Sequence, residues 1–210
     1  MRRFATLVAG LALVLTLAAC NKGGAGGAVT QDDMSLGSPV AKVTIVEYAS
    51  LGCPHCAEWN NDVFPAFKAK YIDTGRVHYV LREALTGAAS VSAAGFLTAR
   101  CAGKDKYFQV VDAAFRAMPN PELATQPHDT LLKIAQQVGM SDAQFEACIR
   151  DEKSLAALNA RWDRYMADDK IASTPTFVVN GKVSDKGPLT LADIDAAVTE
   201  AEAAAGKPKT

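Results

Sequence analysis

Residues 43–60 read VTIVEYASLGCPHCAEWN, and the fold follows from them. Positions 43–49 form an apolar run rich in β-branched residues that stops at the turn Ser50-Leu51-Gly52, and Cys53-Pro54-His55-Cys56 comes immediately after. That order predicts a strand, a turn and the N-terminus of a helix. Beyond the cysteines, Trp59, Val63, Phe64, Phe67 and Tyr71 recur at spacings of mainly three and four, the apolar face of a helix in which Pro65 is expected to introduce a kink. Both thiols thus fall where a helix begins, and there unpaired N–H groups and the positive end of the helix dipole favour negative charge. Cys53 is expected to be the acidic, attacking thiol, with Cys56, one turn further in, as its less exposed resolving partner. His55, beside the thiolate, can carry positive charge or donate a hydrogen bond to it; a solvated, passive ring is the alternative.

Outward from this centre, Asp73-Thr74-Gly75 is a turn and residues 77–81 (VHYVL) a second strand, completing a βαβ unit. A right-handed crossover places Cys53 at the carboxyl end of the first strand, where α/β proteins build their sites. Residues 86–167 carry no strand pattern. Four or five Ala-rich helices are expected there, among them 88–102, 106–118, 129–138 and 141–150, interrupted by Gly103, the loop Pro119-Asn120-Pro121, Pro127 and Gly139. Ser141 with Gln144 predicts a capping box, and Ser154 is read as the cap of a helix running to 168 or 169. The chain then returns to a strand, Thr176-Phe177-Val178-Val179, a hairpin turn at Asn180-Gly181 with Lys182-Val183 beyond it, and an amphipathic terminal helix within 189–205.

The Cys-Pro-His-Cys tetrapeptide, Glu47 in the strand before it, and the later Ser173-Thr174-Pro175-Thr176-Phe177 resemble the DsbA-like thiol-disulfide oxidoreductases of the thioredoxin superfamily. The resemblance extends over the chain that follows the N-terminal leader. It implies an α/β thioredoxin fold with an inserted α-helical subdomain: first half 39–85, insertion 86–170, second half 171–210. It further implies that Pro175 follows a cis bond and faces the dithiol, that the backbone beside it pairs with substrate peptide, that Thr174 approaches the thiols, and that Glu47 modulates proton transfer from Cys56. On the residues alone, Pro175 could be a trans proline opening a strand and Glu47 could face solvent. The implied activity is disulfide exchange with cysteine-containing exported proteins, in the direction of a dithiol oxidase because proline and histidine stand between the cysteines. A reductase or isomerase of the same fold is the nearer alternative, and a non-catalytic peptide- or metal-binding lipoprotein the more distant one. No bound cofactor is implied; a membrane redox partner would regenerate the active disulfide, and the protein is expected to be a monomer.

Composition limits the partners. The 210 residues are 49% hydrophobic and 21% charged with a net charge of −1, an ordinary globular balance that points neither to nucleic acid nor to an acidic surface. Arg2 and Arg3 followed by the apolar run 4–18 read as a secretory signal over residues 1–19. Leu17-Ala18-Ala19-Cys20 looks like a lipobox, which would make Cys20 a lipidated N-terminus; plain cleavage or a retained anchor are the alternatives, although the run is short for the roughly 20 residues of a span. Residues 20–38 are then the lipidated N-terminus and a flexible linker, with a Gly-rich tether over 21–28 and a short strand or turn expected within 29–40, and the protein is expected in the periplasm, lipid-anchored, with Asn21 resembling a signal for the outer membrane.

Setting Cys20 aside leaves four of the five cysteines. Adjacency pairs Cys53 with Cys56, which leaves Cys101 and Cys148 either as a structural disulfide or as two separate buried thiols. A c-type haem site would need histidine after Cys56, where Ala57 stands. Structural zinc would need a second close pair of ligands, whereas His78 and His128 lie far from the motif, so no metal is expected.

Overall fold

The computed structural model describes residues 29–205. The signal sequence expected over 1–19, the lipid site expected at Cys20 and the whole Gly-rich stretch 21–28 therefore lie outside the described residues. Among the described residues no helix is long and apolar enough to cross a membrane.

Five strands form one sheet in the order β1-β3-β2-β4-β5. The centre is β2 (Val43–Ala49), parallel to β3 (Val77–Glu83) on one side and antiparallel to β4 (Thr176–Val179) on the other. Except for Thr44, every residue of β2 and β3 is buried, which is why these strands read as continuous apolar runs instead of alternating ones. The β4–β5 hairpin turns at Asn180 and Gly181, both at positive φ (47° and 81°), and closes with β5 (Lys182–Val183). At the opposite edge β1 (Met34–Leu36) runs antiparallel to β3. The short strand or turn expected within 29–40 is thus a strand of the sheet, and the linker bounds of 20–38 run past where the linker ends; Asp33 just before β1 is buried against Arg82 at 3.2 Å.

Helix α1 (Pro54–Asp62) opens with proline in its first turn, where a missing N–H loses nothing. The kink expected at Pro65 is a break. α1 ends at Asp62, α2 (Phe64–Phe67) restarts with Pro65 in its first turn, and a π-helical turn (Lys68–Ile72) completes the segment. Trp59, Phe67 and Tyr71 of this segment are buried, and the Trp59 indole N–H donates to the Leu189 carbonyl at 2.7 Å, tying it to the start of the terminal helix α9 (Leu191–Ala205).

Between β3 and β4 stand six helices: α3 (Ala89–Cys101), α4 (Lys104–Ala117), α5 (Pro121–Thr125), α6 (Pro127–Gln137), α7 (Asp142–Ile149) and α8 (Glu152–Asp168). α5 occupies what was expected to be only a loop, because Asn120 accepts from the Glu122 N–H and Pro121 supplies the first helical position. The cap of α8 is Asp151, not Ser154. The Asp151 carboxylate accepts from the Ser154 N–H at 2.9 Å, so the helix starts one turn earlier. The Ser141–Gln144 capping box is present. A disulfide joins Cys101, at the end of α3, to Cys148 in α7.

Ion pairs lock this helical layer to β3. Glu83, 1% exposed, receives Arg100 of α3 at 2.5 Å, Arg161 of α8 at 2.7 Å and the Tyr107 hydroxyl of α4 at 3.1 Å. Its neighbour Arg82 binds Asp33, and also Asp169 and the Tyr48 hydroxyl, at 3.1 and 2.8 Å. Hydrogen-bonded and opposite in sign, these buried charges hold particular elements together.

Candidate active site

The carboxyl end of β2 passes into a turn whose backbone is held from the side. Ser50 Oγ donates to the Thr86 carbonyl at 2.8 Å and accepts from the Gly52 N–H at 3.1 Å, while Ser92 Oγ accepts from the Leu51 N–H at 3.0 Å. Glycine is required twice here. A Cβ on Gly52 would lie 2.6 Å from the Ala88 nitrogen, and one on Gly87, whose φ is +66°, only 2.1 Å from the Gly52 oxygen. The segment after β3 is thereby packed directly against the Cys-Pro-His-Cys turn.

Cys53 is the extended N-cap of α1, and Cys56 lies one turn inside it with its N–H bonded to the Cys53 carbonyl at 3.1 Å. Their surroundings divide them. Cys53 is 8% exposed and Cys56 is fully buried, so Cys53 has only a narrow opening to solvent and its partner none. The Cys56 thiol donates to Cys53 and, against the effect of burial, this bond with those from the Thr174 side chain and the Cys56 and His55 backbone N–H groups pulls the Cys53 thiol down to about 5. The same bond, together with burial and the nearby Glu47 carboxylate, pushes Cys56 far above the ordinary thiol range. His55 contributes through its backbone: its ring is 73% exposed and turned toward Glu58, 3.5 Å away. Pro54 sets the first helical position between them.

Facing the dithiol is the loop before β4. The Thr174–Pro175 peptide bond is cis, and the Cys53 thiol donates to the Thr174 carbonyl at 3.3 Å. Pro175 is buried, directly ahead of β4. Beneath lies Glu47, 2% exposed, accepting from the Tyr79 hydroxyl at 2.5 Å. Burial raises its carboxyl to about 8, and the Tyr79 bond only partly offsets that. Cys53, Cys56, Pro54, His55, Thr174, Pro175 and Glu47 therefore converge on one end of the sheet. Cys101 and Cys148 lie in the helical layer instead. Sequence reasoning missed Tyr79, Thr86, Ser92 and Gly87; of these only the Gly87 signal, a glycine just after a strand, could have been read.

A pair of thiols with widely separated acidities, set at a helix start opposite a cis-proline loop, is an arrangement able to carry out dithiol-disulfide exchange, and it stands on a thioredoxin fold. Known proteins bear this out at the level of family. A family profile described as Thioredoxin matches residues 29–200. A Rickettsia bellii protein, provisionally named a protein-disulfide oxidoreductase, is 30% identical over 174 residues, 82% of this chain and 66% of its own length. Wolbachia pipientis alpha-DsbA1 superposes with a TM-score of 0.75 at 26% identity, over 84% of this chain and 94% of that one. Oxidised BdbD from Bacillus subtilis shares the fold, with a TM-score of 0.71 at 22% identity over 86% and 98% of the two chains. The chain belongs to the thioredoxin superfamily, in its DsbA-like branch. It spans 55% to 66% of the length of the curated rickettsial relatives it matches.

Proposed function

We propose that this protein is a thiol-disulfide oxidoreductase that acts as a dithiol oxidase on exported proteins. The observation that carries the reading is the split between the two thiols, Cys53 held at about 5 and Cys56 far above its ordinary range. A stabilised Cys53 thiolate is a good leaving group, and it favours the reduced form of the pair, which makes the disulfide oxidising. Relative to an ordinary thiol at 9.0, this stabilisation of the reduced form is complete above pH 9.0 and disappears as pH falls through about 5.

The reaction starts with the Cys53–Cys56 disulfide. A substrate thiolate attacks Cys53 Sγ, forming a mixed disulfide and expelling Cys56 as a thiolate. Cys56 then takes a proton, for which Glu47, near 8, would be the donor. A second substrate thiolate attacks the substrate sulfur, and Cys53 leaves as the stable thiolate. Two electrons have passed from substrate to enzyme, and one substrate disulfide has formed. Thr174 and Pro175 would present backbone to the bound peptide. His55 would act through its N–H.

The surrounding biology follows the same reading. Residues 1–19 would direct export, Cys20 would carry the lipid, with the outer membrane as its site, and the domain, a monomer, would work in the periplasm. A membrane redox partner would reoxidise the dithiol. The thioredoxin halves are assigned to 39–85 and 171–210 and the helical insertion to 86–170, with β1 added to the first half.

Equilibration with a glutathione redox buffer, read by thiol trapping of Cys53 and Cys56, tests the proposal. A potential well above the roughly −270 mV of thioredoxin is expected. A value near thioredoxin's would move the protein to the reductase side, and a pair that does not exchange at all would remove it from the class.

A further inference from the structure

The segment that joins β3 to α3 touches both halves of the site. Its backbone lies on the cysteine turn, through the Ser50–Thr86 bond and the contact of Gly52 with Gly87, and the Ala88 N–H donates to the Gly52 carbonyl at 3.3 Å. Its one hydroxyl-bearing residue, Thr86, turns to the other half: Thr86 Oγ1 lies 2.6 Å from Thr174 Oγ1. Among the described residues Thr174 is the hydrogen-bond partner of that hydroxyl, and both residues are half-buried.

Two hydroxyls at that distance share one proton position, so one must donate and the other accept. The state of Cys53 decides which direction is useful. As a thiol, Cys53 donates to the Thr174 carbonyl at 3.3 Å. As a thiolate it has nothing to donate and needs donors, and the side-chain donor that Thr174 can offer is its hydroxyl. That hydroxyl is free to turn its proton to sulfur only if its oxygen accepts from Thr86.

We propose that Thr86 is a positioning residue of the redox couple: by donating to Thr174 Oγ1 it orients the Thr174 hydroxyl as a donor to the Cys53 thiolate. The chain Thr86–Thr174–Cys53 is then polarised in one direction, each bond strengthening the next. The Thr86 hydroxyl is bonded to Thr174 and not to either sulfur, and it acts through Thr174. The Thr174 side chain is already among the groups that hold the Cys53 thiol low. The titratable groups around Cys53 are Cys56, one turn along α1, Glu47 on β2, and His55, whose exposed ring turns to Glu58; Thr86 adds no charge. The inference rests on the exchange reading above.

The test compares wild type, Thr86→Val and Thr86→Ser by two readouts: the pH midpoint of Cys53 thiolate absorbance, and the equilibrium constant against glutathione. Thr86→Val keeps shape and removes the donor. It is expected to raise the midpoint by about half a unit to one unit and to make the couple roughly three- to tenfold less oxidising, the range of a single hydrogen bond. Thr86→Ser is expected to recover both. If Thr86→Val matches wild type in both readouts, or if Thr86→Ser shows the same loss, the inference is overturned. Should Thr86→Val not fold, Thr86→Ala against Thr86→Ser makes the same contrast: loss in Ala with recovery in Ser supports the inference, and equal behaviour of the two overturns it. A wild-type pair that fails to exchange with glutathione would instead overturn the exchange reading, which separates the two failures.

Discussion

Two glutamates are buried one strand apart in the same sheet, and they are treated in opposite ways. Glu83, at the end of β3, is surrounded by two guanidinium groups and a phenol. Glu47, in the middle of β2, has one phenol and no cation among its bonds, and burial lifts its carboxyl to about 8. Compensated charge is a structural fastener, because each arginine comes from a different helix of the inserted layer. Uncompensated acid is, in the proposed mechanism, the proton donor, because its proton is held near neutral pH and the Cys56 thiol would have to gain one. The contrast teaches that burial alone does not mark a functional residue; what marks it is burial without a counter-ion.

Removing the carboxylate charge from each site tests this contrast. The largest effect is expected from Glu83→Gln, which strands Arg100 and Arg161 and should destabilise the fold by roughly 3–5 kcal/mol in urea denaturation, with dithiol exchange per folded molecule kept. Glu47→Gln should do the reverse. The raised carboxyl favours the folded state fully below pH 4.5, and that advantage is lost as pH rises through about 8. The variant should therefore match wild type in acid and become more stable than it above neutrality, by about 2–4 kcal/mol near pH 8, while Cys56 release from the mixed disulfide slows. If both variants lost stability alike at every pH, the distinction would fall. The smallest effect is expected from Tyr79→Phe. Without its donor the Glu47 carboxyl should titrate still higher, a shift visible in the pH dependence of its infrared carbonyl stretch, at a stability loss of about 1 kcal/mol. An unchanged titration would show that the phenol is only packing.

Much of the site was legible in the chain. Cys53 and Cys56 stand out because a cysteine pair after a β-branched run is a local pattern, and α1 begins at Pro54 for local reasons. Thr176–Val179 and the Asn180-Gly181 turn were equally local. α5 was passed over because two prolines in three residues read as a loop, although Pro121 and the Asn120 cap also start a helix. Ser154 reads as a cap in the sequence because two capping residues, Asp151 and Ser154, stand three positions apart, and only the structure shows which one accepts the N–H.

By itself, then, the sequence determined the strand-turn-helix that carries the thiols, the βαβ start, the helical character of the middle of the chain and the closing hairpin, because each depends on neighbours within a few residues. Tertiary structure decided the rest. Glu47 became a buried acid, not a solvent-facing strand residue, when β3, 32 residues away, brought Tyr79 over it. Asp33 joined the core when Arg82, 49 residues on, supplied its counter-charge. Thr86 joins the two halves of the site because Ser50, 36 residues before it, holds its backbone and residue 174 folds back across 88 positions to meet its hydroxyl. Acidity and hydrogen-bond direction depend on which groups share a dry space, and that is set by the packing of distant segments rather than by the order of residues along the chain.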